Sequence, residues 1–515
     1  MKKYNKLFLG FLIMSLLLIT LGGCKKFLDR KPLTATADEG LESQALGMYS
    51  VLRGYAGFSS LPWVDFNSIR DDDAQKGSST TDGGEINTEF ETFQYTKDDW
   101  ATNTYWNDHY YIINIANKII YIADSLKLKD AGSLRNVGEA HFFRAYAYFE
   151  LVKAYGEVPK IDYYYENAAD GIQAKSSVTD LYALIDKDLD SASILLPTDW
   201  YNSTINANPY PGRLTNGAAK TLWAQTYLFR QQWDKVAALC TTIKNSGQYK
   251  LDSLFTDIWK DGVGGVGKNG PESIWEMQAL IGANGTNDYG SSWGTCQNVR
   301  QGGAGSEWNL GWGWNTPTSN LVTAWDNNDP RKSATILYSG QYDGGPAKGG
   351  YGATLPVYNP GTSLDQPYWN KKVYSDPAMR QLTGHSTDGN AGWINHRILR
   401  YADVLLMLAE ASNELGDGGT AETNLELVRA RARDTSTTIL PFIPFTSQAQ
   451  MRTAIKNERR WEFAMEGYRF YDLVRWGDAL SALGSLGYTD RCKYYPIPQK
   501  AIDLSGGKLV QNSQW

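Results

Sequence analysis

Gly217-Ala218-Ala219-Lys220-Thr221-Leu222-Trp223-Ala224-Gln225-Thr226-Tyr227-Leu228 reads as a helix built for close packing. Its alanines let a neighbouring helix approach, and Leu222, Trp223 and Tyr227 supply bulk at three-to-four spacing. Trp233, Ala237, Ala238 and Tyr249 carry the pattern into a second helix, so the two form a hairpin. The logic recurs further on, where Leu408-Ala409-Glu410-Ala411 precedes Glu414-Leu415-Gly416, a short break, and a helix through Asn424, Val428 and Ala430. Hairpins of this kind bury their faces only by stacking, so at least three are expected together.

The small-and-large code resembles a tetratricopeptide unit. Segments 43–52, 106–126, 133–155, 178–196, 213–229 and 233–245 all carry apolar residues at helical spacing, and strand-like alternation is scarce. Between about 261 and 392 the texture changes to Gly, Asn, Ser and Thr, with glycine-rich runs at 262–270, 302–313 and 340–352. Loops of that length on a compact scaffold are usually functional. Helices return at 397–415 and 447–483. The expected fold is mainly α: a tetratricopeptide-like helical superhelix with a loop-rich, ligand-binding half. The expected divisions are 1–23, 24–38, 39–268 and 269–515, with the binding loops at 269–392.

The division at residue 23 comes from the first segment. Lys2, Lys3 and Lys6 precede an apolar run at 7–21 that is short for a membrane span, as in a signal peptide. It ends in Leu21-Gly22-Gly23-Cys24, which matches a bacterial lipoprotein box with Cys24 as the acylated residue. More than one acyl chain on a single residue gives firm anchoring, at about 0.8 kcal/mol per buried methylene. Residues 25–38 then read as a polar tether.

Of the 515 residues 42% are hydrophobic and 21% charged, and the formal charge of −6 offers no footprint for nucleic acid. The 18 Trp and 32 Tyr are the unusual numbers, and fit packed helices, flat binding surfaces, or both. Cys240, Cys296 and Cys492 show no CxxC spacing, so neither a disulfide framework nor a zinc site is expected.

Two motifs are decoys. Gly262 to Asn269 nearly spells a phosphate-binding loop, but Asn269 stands where the magnesium-binding hydroxyl belongs, and Asp261 precedes it in place of a buried strand. Gly290-Ser291-Ser292-Trp293-Gly294 fits a nucleophile-elbow formula, yet Asn287-Asp288-Tyr289 before it is too polar for the strand that an elbow needs. The four histidines, His109, His141, His385 and His396, make no zinc pair, so no metal and no cofactor are expected; His109 and His141 read as packed, hydrogen-bonded residues. A carboxylate pair for glycoside hydrolysis can be neither found nor excluded from spacing alone.

Longer strings carry a more specific signal. Cys24-Lys25-Lys26-Phe27-Leu28-Asp29, Trp106-Asn107-Asp108-His109-Tyr110-Tyr111, GEAHFFRAYAYFELVKAYGEVP from Gly138, Gly212-Arg213-Leu214-Thr215, Asp329-Pro330-Arg331, RYADVLLMLAEASNELG from Arg400, ERRWEFAMEGYRFYDLVRWG from Glu458 and Tyr495-Pro496-Ile497-Pro498 occur in one order along the chain. Together they resemble the SusD/RagB family of outer-membrane glycan-binding lipoproteins. The resemblance implies about four tetratricopeptide-like units and non-catalytic capture of an oligosaccharide at the cell surface. It also implies delivery to a SusC-like TonB-dependent barrel, with anchorage to the outer membrane through lipidated Cys24. Alternative readings are a lipid-anchored glycan-degrading enzyme or a peptide-binding protein of the RagB branch. Within the matching strings, Glu139, Arg144, Asp403, Glu410, Glu462, Arg469, Asp472 and Arg475 read as paired scaffold charges, since an unpaired charge in such a core costs several kcal/mol.

A neutral sugar offers C–H faces that dock on flat rings and hydroxyls that pair with amides, carboxylates and guanidinium groups. Two segments combine these partners, and the family places its binding aromatics in the same two regions. In 63–73 the candidates are Trp63, Asn67 and Asp71, followed by Trp100; in 289–315 they are Trp293, Trp308, Trp312 and Trp314. For the run Asp71-Asp72-Asp73 the competing reading is a solvated turn or a cation-binding loop.

Overall fold

The computed structural model describes residues 41–515 apart from 55–57, 59, 80–81, 84–87, 202, 205–206, 287, 302–305, 363 and 387–388. The expected signal peptide, the tether and Cys24 lie outside the described residues. Helices dominate. The N-terminal part runs α1 (Glu42–Leu52), α2 (Leu61–Asn67), β1 (Ala74–Gln75), α3 (Trp100–Leu126), α4 (Ala131–Tyr155), β2 (Val158–Pro159), β3 (Lys175–Ser176), α5 (Val178–Leu195), α6 (Asn216–Phe229) and α7 (Trp233–Asn245). From α3 onward each helix packs on the next, and α1 and α2 lie against α3.

Capping residues set the ends. Asp130 accepts from the Ser133 N–H at the start of α4, Ser177 from the Asp180 N–H before α5, and Thr215 from the Ala218 N–H before α6. The α6 helix therefore begins three residues later than its apolar pattern, whereas α3 begins six residues earlier, at Trp100. Small residues do mark close approaches: a β-carbon on Gly217 would lie 2.6 Å from the Tyr249 ring, and one on Gly138 would lie 2.9 Å from Leu195.

The C-terminal part contains β4 (Ser273–Met277), α8 (Ser292–Gln297), β5 (Thr316–Pro317), α9 (Pro330–Thr335), β6 (Ile336–Tyr338), β7 (Tyr368–Asn370), α10 (Pro377–Thr383), β8 (His396–Arg400), α11 (Tyr401–Glu414), α12 (Gly418–Arg433), α13 (Gln448–Glu462) and α14 (Arg469–Trp476). Its strands form two-stranded antiparallel ladders, β4 with β8 and β6 with β7, while β5 pairs back with β1. Helix α7 packs on α11, which joins the helices of the two parts into one core.

Two helical expectations are corrected. The segment starting at 397 opens as strand β8, because pairing with β4 and the bonds from Arg397 to Asp261 and from Arg400 to Glu272 hold it extended. The helix expected over 447–483 breaks after Glu462, where Met465 (φ 67°) and Gly467 (φ 77°) take left-handed backbone. Gly467 passes so near Trp63 that a β-carbon there would sit 2.4 Å from the indole.

The scaffold charges are paired. Glu139 accepts from Arg213 at 2.6 Å, Asp188 from Arg144 at 2.6 Å, Glu410 from Arg475 at 2.5 Å, and Arg459 bridges Asp403 and Asp472. At the centre Glu462 receives Arg431 at 2.5 Å, Arg400 at 3.0 Å and Arg331 at 3.1 Å. Burial alone would raise the Glu462 carboxyl, and these guanidinium groups outweigh it and hold the group well below the usual carboxylate range. Cys240, Cys296 and Cys492 are free and buried.

Candidate functional site

The structure buries Trp63, Trp293, Trp308 and Trp314 in packing and leaves Trp312 at the wall of a groove. Trp293 sits on α8, whose N-cap Ser291 accepts the Trp293 N–H. Its ring stacks on His396 with centroids 3.8 Å apart, and Trp63 meets it edge-on at 5.1 Å. Trp293 is 5% exposed and Trp63 7%, so neither offers a face to a sugar ring. Trp308 is buried in a separate apolar cluster with Val299, Leu310, Leu337, Leu355, Trp369 and Tyr374. These glycine-rich loops have a core of their own, and the large rings fill it.

Trp314 is buried as well. Its Nε1 donates to Asp82 at 3.1 Å, the same carboxylate takes Arg300 at 2.7 Å, and a β-carbon on Gly83 would fall 2.2 Å from the indole. Asn67 is buried and donates to the Trp63 carbonyl at 3.0 Å. Asp71 is buried and accepts the N–H groups of Asp73 and Ala74 at 2.7 and 2.8 Å. Asp72 takes Arg469 at 2.8 Å, and Asp73 takes Arg460 at 2.5 Å. The acidic run is thus neither a solvated turn nor a cation loop, because arginines from α14 and α13 and local N–H groups satisfy it. Trp100 is 37% exposed at the start of α3 and does not line the groove described next.

Trp312 is the sequence-selected residue that does line it. The groove has an open volume of about 450 Å³ and includes Arg53, Asp288, Ser291, Thr295, Trp312 and Asn390 in its walls. The Trp312 N–H donates to the Thr295 carbonyl at 2.8 Å, and its half-buried ring leans on Trp314 with centroids 5.0 Å apart. Arg53, just past the end of α1, holds its guanidinium 5.4 Å from the Tyr289 ring centroid and donates to Ser50 Oγ at 3.0 Å. Tyr289 itself is 54% exposed, on a bridge with Leu280.

The polar groups around the groove are fixed before any ligand arrives. Asp288 Oδ1 accepts the Gly290 N–H at 2.9 Å, Asn390 Oδ1 accepts the Gly392 N–H at 2.8 Å, and Thr295 Oγ1 accepts the Ala391 N–H at 2.9 Å. Gly290 and Gly392 keep the floor low: a β-carbon on Gly290 would stand 3.3 Å from the Gly392 carbonyl, which accepts the Ser291 N–H. Among the described residues lining the groove Asp288 is the single carboxylate, one fewer than paired-carboxylate glycoside hydrolysis employs. The arrangement suits recognition: one flat ring, one guanidinium on a tyrosine, and planar amide and carboxylate groups.

Sequence reasoning missed Arg53, Asp288, Thr295 and Asn390. The first closes an ordinary amphipathic helix, and the others are common polar loop residues, so no spacing signal marks them; Tyr289 stood only at the border of a chosen segment. Among the described residues no group of three or more His, Cys, Asp or Glu is placed to hold a metal ion, and no helix is long and apolar enough to cross a membrane.

Two family profiles match the chain, one described as "SusD family" over residues 271–489 and one as "Starch-binding associating with outer membrane" over residues 26–228. The chain is 26% identical to SusD-like protein P2 of Formosa agariphila over 538 aligned positions that span 100% of this chain and 98% of that one. Among solved structures it is similar to a laminarin-binding SusD-like protein, with 27% identity, a TM-score of 0.72, and coverage of 92% of this chain and 99% of the other. It also shares its fold with surface glycan-binding protein A of Bacteroides thetaiotaomicron, solved in complex with laminarihexaose, at 22% identity, a TM-score of 0.71, and coverage of 93% and 100%.

Proposed function

The chain belongs to the SusD family, and from that membership we propose that its groove captures an oligosaccharide at the cell surface, without cleaving it, for transfer to a SusC-like TonB-dependent barrel. The observation that carries the reading is the half-buried Trp312 ring at the wall of an open groove that also holds Arg53, Asp288 and Asn390, with Tyr289 stacked under Arg53. A sugar's apolar face docks on the indole at little entropic cost, since the ring is already fixed by Trp314 and by its own backbone bond. Hydroxyls pair with Arg53, Asp288 and Asn390. Lipidated Cys24 would hold this body at the outer membrane.

Because a relative of 27% identity is named for laminarin binding, laminarihexaose is the first ligand to try. Calorimetry on the chain from residue 25 onward is expected to give saturable binding, with the hexasaccharide recovered at its original length. Appearance of shorter products would reassign the protein to the glycan-degrading class. Co-purification with a membrane barrel that Cys24→Ala does not abolish, but that lowers barrel-dependent sugar uptake, tests delivery separately.

A further inference from the structure

We propose a second sugar site, separate from the groove: the cavity beside Trp259 takes one neutral, hydroxylated six-membered ring. The cavity measures about 160 Å³ and shares no lining residue with the groove. An engineered cavity of about 150 Å³ holds one benzene, so the space fits a single ring and no longer chain.

Three aromatic residues, Trp259, Tyr351 and Tyr374, form its walls. The two tyrosine rings sit 5.0 Å apart at 56°, and the Trp259 ring is fixed by Lys372, whose Nζ lies 4.5 Å from its centroid. Trp259 is half-buried, so part of its ring lines the cavity while its indole N–H is sealed from it. Asp376 supplies the polar group. Its Oδ1 caps α10 through the Ala378 N–H at 2.7 Å, while its Oδ2 faces the cavity residue Gly262, 3.4 Å from where a β-carbon would stand.

The wall is also rigid. The Lys371 ammonium donates to the carbonyls of Ser333, Asp343 and Lys348 at 2.9, 2.6 and 2.7 Å, and Asp343 accepts the N–H groups of Gly345, Tyr351 and Gly352. All three Lys371 hydrogens are thereby used, and the nearby Lys260 is paired with Asp257 at 2.6 Å. Both lysines that line the cavity are thus matched already. A ligand that donates hydroxyls to a carboxylate and offers C–H faces to three rings is a neutral sugar ring.

D-glucose is the probe, read by the indole N–H resonances of protein labelled with nitrogen-15 tryptophan. Trp259→Phe assigns the Trp259 signal, and Trp312→Ala assigns that of Trp312. The Trp259 signal is expected to shift with a dissociation constant on the order of 1 mM, with the Trp312 signal unmoved. Trp259→Phe, read by saturation transfer to glucose because its indole signal is gone, is expected to weaken glucose binding about tenfold while leaving laminarihexaose affinity unchanged, and Thr256→Phe, which fills the cavity with the indole intact, to abolish it. A Trp259 signal that stays still up to about 50 mM glucose overturns the site, as does a shift that laminarihexaose competes away. The groove reading rests on laminarihexaose alone, so either can fail without the other.

Discussion

Trp293 and His396 lie face to face, ring centroids 3.8 Å apart and planes 17° from parallel, and neither lines the open groove. The pair works as packing, and Trp293→Ala tests that role. Removing a buried indole is expected to cost about 3–5 kcal/mol of stability, measured by urea unfolding. At a temperature where the variant is still folded, laminarihexaose affinity should stay within about twofold, because the ring does not reach the groove.

The same stack predicts acid sensitivity. Burial pushes His396 down to about 3, helped by Arg397, and burial pushes His109 down to about 3 as well. Both are neutral in the folded state, while in the unfolded chain they take up a proton below about pH 6.5. The unfolded state then binds more protons, so these two contributions to stability are lost as pH falls from about 6.5 toward 3, at about 1.4 kcal/mol per pH unit for each histidine. His396→Phe keeps a flat ring and removes one titration. Its urea-derived stability should fall less steeply between pH 6 and 4 than that of the parent by about that slope, and equal slopes would refute the assignment.

In the groove, affinity rather than stability should respond. Trp312→Ala is expected to weaken laminarihexaose binding at least tenfold and Arg53→Ala about threefold to tenfold, by calorimetry, with little change in urea midpoint for Arg53→Ala. Trp308→Ala should do the reverse, lowering the midpoint while the folded protein binds sugar normally, since that ring is sealed in the loop core.

Glu462 tests the charge knot. It takes three guanidinium groups, and Arg400 in turn reaches Glu272 and Glu466. Glu462→Gln leaves buried arginines short of a carboxylate, and a loss of about 3–5 kcal/mol is expected from urea unfolding. A loss below about 1 kcal/mol would mean that the neighbouring carboxylates suffice.

Much of this architecture was legible in the residue order. The 233–245 helix has the bounds its apolar spacing gives, and all eight charges chosen as scaffold have partners. Periodicity and the price of an unpaired buried charge are local or universal rules, and both survive folding. The groove residues obeyed neither. Trp293, on the short helix α8, and Trp308 both stand in glycine-rich sequence, where a ring facing solvent and a ring filling a core are written alike. Arg53 meets Tyr289 only because α1 and the segment after β4 converge in space. A strand hidden in the string His396 to Arg400 likewise became visible only through its partner β4.

The arginine clasp on the acidic run has one more consequence. Arg460 reaches Asp72 across 388 residues, and Arg469 joins it there. A newly synthesised chain therefore holds its early acidic run unclasped until nearly the whole polypeptide has been made, and this clasp is among the last joints to close.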